Sequence, residues 1–175
     1  TGRVRQVRAD VLMVLAVAFY DVVVWVHVSA IVLAFGPTFA YPVIDAALGR
    51  ADARALPAWW ATRAVVGSRL IAPAGTVALL AGAYLASDRD LWSEVWVTIP
   101  AAILVVVMGL GGAFFGPNDR RLAVAAARDV EAAAGREVRW SAETEALRRR
   151  AGAVGAVAGA LILVALFFMI TKAGA

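Results

Sequence analysis

The stretch Tyr20–Ile44, YDVVVWVHVSAIVLAFGPTFAYPVI, is apolar over a length that crosses a bilayer, yet it carries Asp21 and the chain's single histidine, His27. A hydrocarbon core about 30 Å thick takes roughly 20 residues of α-helix, the form in which a lone segment bonds all its backbone groups internally. An ionisable group inside such a span is disfavoured by roughly 2.5–3.5 kcal/mol on insertion scales, which makes it a candidate functional residue. His27 is the residue the fold has to explain. Counting helical steps of three, four and seven from it gathers Tyr20, Val24, Ala30, Ile31 and Ala34 on one face. The small Ala30 and Ala34 leave room there for a flat ligand or a close helix.

Working outward, the apolar pattern extends back to Val11, so the first span covers about residues 11–46, either as one long tilted helix or with residues 11–19 in the interface. Arg3, Arg5 and Arg8 precede it in a basic arm. The run exceeds a signal-peptide length and lacks a clean small-residue cleavage site, so it reads as a retained helix. Pro37 and Pro42 are expected to kink or end it, with a loop from Asp45 to Trp60 following. A second span covers about 62–86, where Gly75, Ala78 and Gly82 form a small-residue seam for a neighbouring helix. Arg63 and Arg69 lie in its first turns, placed to snorkel or to bind an acidic substrate such as porphyrin propionates.

A short acidic loop with Asp88, Asp90 and Glu94 leads to a third span, about 95–115, ending in Gly112-x-x-x-Gly116. Pro117-Asn118-Asp119 then reads as a stop followed by a helix cap. Residues 117–150 form a polar arm rich in alanine, arginine and glutamate. The pattern predicts a helical hairpin broken at Gly135, with Ser141 capping its second helix and Glu145 paired with Arg149 four residues on. A fourth span, about 151–171, closes the chain. The expected fold is therefore all-α: one membrane domain, a polytopic four-helix bundle with a polar helical arm between spans 3 and 4.

Composition agrees. The 175 residues are 62% hydrophobic, with mean hydropathy +0.78, against an apolar fraction near half in soluble domains. There is no cysteine, which rules out disulfides, thiolate ligands, iron–sulfur clusters and cysteine nucleophiles. The net charge of +4 comes from arginines with one lysine, Lys172. In a membrane chain that balance points to loops facing anionic lipid and not to nucleic acid. Arginines crowd the side holding Arg50, Arg54 and the arm through Arg148–Arg150, while Arg3, Arg5, Arg8, Arg89 and Lys172 lie opposite. The positive-inside rule thus puts the arm in the cytoplasm and both termini outside.

Three functional classes remain open. Imidazole in an apolar bundle suits an axial position on haem iron, so His27 is a candidate ligand for haem b. One histidine leaves the second position to Met108, Met169, Lys172, an open site or His27 of a second protomer. The alternative for His27 is an interhelical hydrogen bond to a backbone carbonyl or hydroxyl. Asp21 reads as a carboxylate near the interface; at the midplane it would, with His27, suit a small proton-linked transporter. The third class is a scaffold or accessory subunit of a membrane complex, with the arm docking a partner and the small-residue seams mediating homo-oligomerisation.

Trp25-Val26-His27 followed by Gly36, and Pro73 through Gly82, resemble a family of bacterial predicted integral membrane proteins with four spans and no assigned function. The early histidine and the small-residue segment after it are also similar to HemJ-type protoporphyrinogen oxidases and CopD-type copper-resistance domains. The resemblance implies a bacterial cytoplasmic membrane, a four-helix architecture and a haem role for His27. It does not imply oxidase activity, because that family also relies on a lysine within its bundle and Lys172 stands at the end of span 4.

Overall fold

A computed structural model describes the backbone from Gly2 to Gly174 and the side chains from Phe19 to Gly174. Among these residues every regular element is helical. Six α-helices build four rods: α1 (Gly2–Ala51), α2 (Leu56–Val66) running on into α3 (Ala72–Asp88), α4 (Val95–Leu110) running on into α5 (Gly116–Ala133), and α6 (Ala142–Thr171). Each rod contains a stretch long and apolar enough to cross a membrane. Between 11% and 22% of each apolar window is buried inside the bundle. The remainder, including Trp25, Val32, Leu80, Val105, Leu163 and Ile170, is exposed to an extent that a water-facing surface would not sustain and a lipid-facing one requires. The chain is a multi-pass membrane protein.

Of the two outcomes expected at Pro37 and Pro42, a kink or an end, the end does not occur. Pro37 and Pro42 lie inside α1, which continues to Ala51. Near Pro37 the Thr38 hydroxyl donates to the Phe35 carbonyl, 2.6 Å. The expected loop from Asp45 to Trp60 is reduced to a short 3₁₀ turn, Ala53–Ala55, started by the Asp52 carboxylate, which accepts the Arg54 N–H. Pro117 likewise fails to stop the third rod.

Pro73 and Pro117 are each preceded by one π turn, Gly67–Ile71 and Gly111–Phe115. The Ala72 N–H bonds Gly67 O across the first and the Gly116 N–H bonds Gly111 O across the second. A proline lacks a donor and its ring crowds the carbonyl four residues back; one extra residue in the turn accommodates both faults without breaking the rod. Gly112 meets no neighbour within 4 Å, so Gly112-x-x-x-Gly116 serves this turn and not a packing seam.

The halves on either side of these turns pack differently. Toward the loop after Asp88, α1 lies on α3 and α4 on α6; beyond the turns, α2 lies on α5 and α5 on α6. Two apolar clusters result. Ala30, Ala34, Phe35, Ala78, Leu104, Val107 and Ile162 fill the membrane half, and Leu56, Trp60, Leu122, Ala123 and Ala126 fill the arm half.

The arm is the expected hairpin. Helix α5 ends at Ala133, with Ala134 and Gly135 in left-handed conformations, φ 49° and 83°. The chain returns through Arg136–Trp140 and Ser141 caps α6, its hydroxyl accepting the Thr144 N–H. The Glu145–Arg149 pair forms at 3.6 Å. Helix α6 then passes unbroken from the arm into the fourth span. The side chains of Arg3, Arg5 and Arg8 lie outside the described residues.

Candidate functional site: a buried arginine layer and the His27 seam

Arg63 is the centre of the polar structure. It lies eight residues into α2 and is 8% exposed. Its Nη1 donates to Asp45 Oδ2 on α1 at 2.9 Å and its Nη2 to Asp119 Oδ1 on α5 at 3.3 Å. The guanidinium also stands over the Tyr41 ring, 5.0 Å from its centroid. Trp59 Nε1 donates to the other oxygen of Asp45, and the Trp59 ring meets Tyr41 edge-on at 5.7 Å. One guanidinium therefore joins three rods. Its fork serves two carboxylates in different directions, which a lysine ammonium cannot do with the same geometry. Neither snorkelling nor capture of an acidic substrate describes Arg63: its terminal nitrogens are both committed inside the protein.

The depth of this layer follows from helix lengths. Asp45, Arg63 and Asp119 each stand roughly 25 residues, about 37 Å, from Tyr20 within α1, from Asp88 at the end of α3 and from Val95 at the start of α4, respectively. A hydrocarbon core of about 30 Å then leaves the layer at the membrane boundary on the arm side, with the rest of α5 projecting beyond it. The opposite boundary carries Arg89 over the Tyr20 ring, 4.3 Å, and Lys172 over the Trp96 ring, 5.5 Å. Asp21, next to Tyr20, is exposed and lies at the same end of the bundle as Arg89. Arg69 lies in the first π turn with its side chain exposed, away from the Arg63 layer.

His27 lies at a different level, in the seam between α1 and α3. Its Nδ1 is 2.8 Å from the Ala78 carbonyl oxygen. A carbonyl only accepts, so this nitrogen carries a proton and is the donor. Gly82, one turn further, makes room for the ring: a Cβ there would stand 2.9 Å from His27 Cε1. Gly75 does the same for Met108, whose Sδ would be 3.2 Å from an added Cβ. The expected small-residue seam is thus occupied by the candidate ligand His27 and by Met108, one of the candidates for the second position, pressed against α3 at separate levels. His27 is not joined to Asp21, Arg63 or Arg69.

Two further ties hold the arm. Arg54 Nη2 donates to the carbonyls of Gly135 and Arg136, at 2.6 and 2.9 Å, clasping the tip of the hairpin to the α1–α2 connection. Asp129 on α5 accepts from the Thr144 hydroxyl at 2.6 Å and from the Ser141 N–H and hydroxyl, both at 3.0 Å. Desolvation is the largest single influence on this carboxyl and raises its pKa, but these bonds and the neighbouring Arg128 outweigh it and hold the group below the usual carboxylate range.

The sequence reading missed Asp45, Tyr41, Trp59 and Arg54 and took Asp119 for a helix cap. A signal was present: Tyr41 and Asp45 are four apart at the end of an apolar run, and charges of both signs recur at equal depth in three spans. Among the described residues no three His, Asp or Glu side chains gather as a metal site. Comparison with family models, with curated proteins and with solved structures finds no match to this chain.

Proposed function

We propose that this protein is an accessory or scaffolding subunit of a membrane complex, which holds a rigid charged helical hairpin at the membrane surface for a partner. The observation that carries this reading is the clasp of the arm: Arg63 ties α5 to both α1 and α2, and Arg54 ties the hairpin tip to the α1–α2 connection. A loop of passive length would not need buried ion pairs to fix its direction. The hairpin exposes Arg121, Arg128, Glu131, Arg136, Glu137 and Arg139, a mixed-charge surface suited to polar, orientation-specific contacts. Arginine density supports a cytoplasmic hairpin with both termini outside, and the resemblance to bacterial four-span proteins supports a bacterial inner membrane. The test is in-cell crosslinking from a photoreactive residue at Arg128, with Val105 on the lipid face as control. One defined protein crosslinked from 128 and not from 105 is expected. A blank at both positions, repeated from Glu131 and Arg139, sinks the scaffold.

A second reading keeps haem b on His27, and the Nδ1 bond is the observation that favours it. Metal-ligating histidines usually donate the other ring N–H to a carbonyl or carboxylate, which fixes the tautomer and ring orientation. His27 would be the residue to hold the group, through its other ring nitrogen, while Met108 packs against Gly75 at a separate level. Bound there, the iron would supply one-electron transfer; the protein's part would be to hold the imidazole and exclude water. Oxidised and dithionite-reduced absorbance spectra of purified wild type and His27→Ala decide it. A Soret band that shifts on reduction and is lost in the variant is expected; no band after haem supply ends this reading.

A further inference from the structure

A cavity of about 270 Å³ opens at the arm side of the bundle, where α1 ends, α2 begins and α6 passes. Arg50 from the last turn of α1 and Arg148 from α6 both line it, with Trp60 and Trp140 as aromatic walls and Leu56 at its base. Among the described residues neither guanidinium has a carboxylate or carbonyl partner, unlike Arg54 and Arg63 close by. Asp45 is the one carboxylate in the lining, and its two oxygens are already held by Arg63 and Trp59. The negative end of α1 and the positive end of α2 meet at this wall and largely offset each other. Two exposed arginines in the lining, against one carboxylate already paired with Arg63, leave the cavity positive.

We propose that this cavity is a binding site for a phosphate group, with Arg50 and Arg148 gripping its oxygens from two different helices. Guanidinium forks match phosphate geometry and form charge-assisted hydrogen bonds. Basic pockets between spans at the cytoplasmic boundary are where lipid phosphates are recognised. The size agrees, since about 300 Å³ is the lower end of the range for drug-sized ligands and a phosphate with its adjoining glycerol is smaller than those. The wall residue Trp60, 1% exposed, also carries an indole N–H with no acceptor in the protein. The source is either an anionic lipid headgroup, which the depth of the cavity allows, or a soluble phosphate ester from the aqueous side.

The experiment is a thermal-stability titration of the full chain in a neutral detergent. Phosphatidylglycerol, phosphatidylcholine, inorganic phosphate and glycerol 3-phosphate are added separately to wild type, to Arg50→Gln/Arg148→Gln and to Arg121→Gln/Arg128→Gln, which removes the same charge from the arm. Wild type and the arm variant should be stabilised by phosphatidylglycerol more than by phosphatidylcholine, and the cavity variant should need about tenfold or more of the lipid for the same shift. Stabilisation by the soluble phosphates at low concentration, lost in the same variant, would assign the site to a soluble ester. Equal responses from the cavity and arm variants, or no phosphate-dependent shift in wild type, would overturn the proposal. Should the glutamine pair fail to fold, Arg50→Lys/Arg148→Lys keeps the charge, loses the forks and must bind several-fold more weakly.

Discussion

The protonated Nδ1 of His27 on α1 donates to the Ala78 carbonyl on α3 across 2.8 Å, and the absence of a side chain at Gly82 lets it do so. Imidazole, carbonyl and glycine form one unit of the α1–α3 seam, and they should respond to substitution as one.

His27→Ala is expected to lower stability by about 1 kcal/mol, the scale of interhelical bonds in membranes. Gly82→Ala should cost a similar amount by pushing the ring off Ala78. Combined, they should cost clearly less than their sum, because the alanine methyl then occupies space the imidazole has left. Unfolding in mixed detergent measures the cycle; strict additivity would show that the seam is not coupled.

Arg63→Ala strands two carboxylates, one of them, Asp119, with a side chain only 5% exposed. Breaking one partner out of a buried pair is expected to cost about 3–5 kcal/mol. Arg63→Lys should fall between wild type and alanine, since one ammonium replaces a fork that served both α1 and α5. Replacing Arg63 and Asp119 together by apolar residues should recover much of the loss, read by the same unfolding assay.

Arg54→Ala should free the hairpin tip while leaving the spans intact. Amide exchange at residues 134–140 is expected to accelerate by at least several-fold, with the thermal midpoint of the bundle nearly unchanged. Unaltered exchange would mean that the clasp adds nothing to the packing of α5 on α2.

Asp129 gives the arm an acid limit. Its carboxyl is held below the ordinary value of 3.8 in the folded protein, so its contribution is complete above that value and is lost as pH falls through the lower folded one. Exchange at residues 141–145 should therefore rise on acidification below about pH 4. Asp129→Asn should show raised exchange already at neutral pH and no further acid step from this residue. An acid step of full size in that variant would assign it to another group.

Hydropathy, capping and charge spacing are local, so the sequence alone determined the four apolar spans, the all-helical class, the Ser141 cap, the turn at Gly135 and the Glu145–Arg149 pair. Each depends on residues within about one helical turn of one another. Pro117 was misread because a stop and a π turn share the same local signal, and what separates them is whether neighbouring helices hold the rod together across the fault. Only the tertiary structure decided that Arg63 meets Asp45 and Asp119, 18 and 56 residues away, and that His27 meets Ala78, 51 residues away. Helical periodicity fixes which residues share a face, but not which face of which rod it meets, nor at what height.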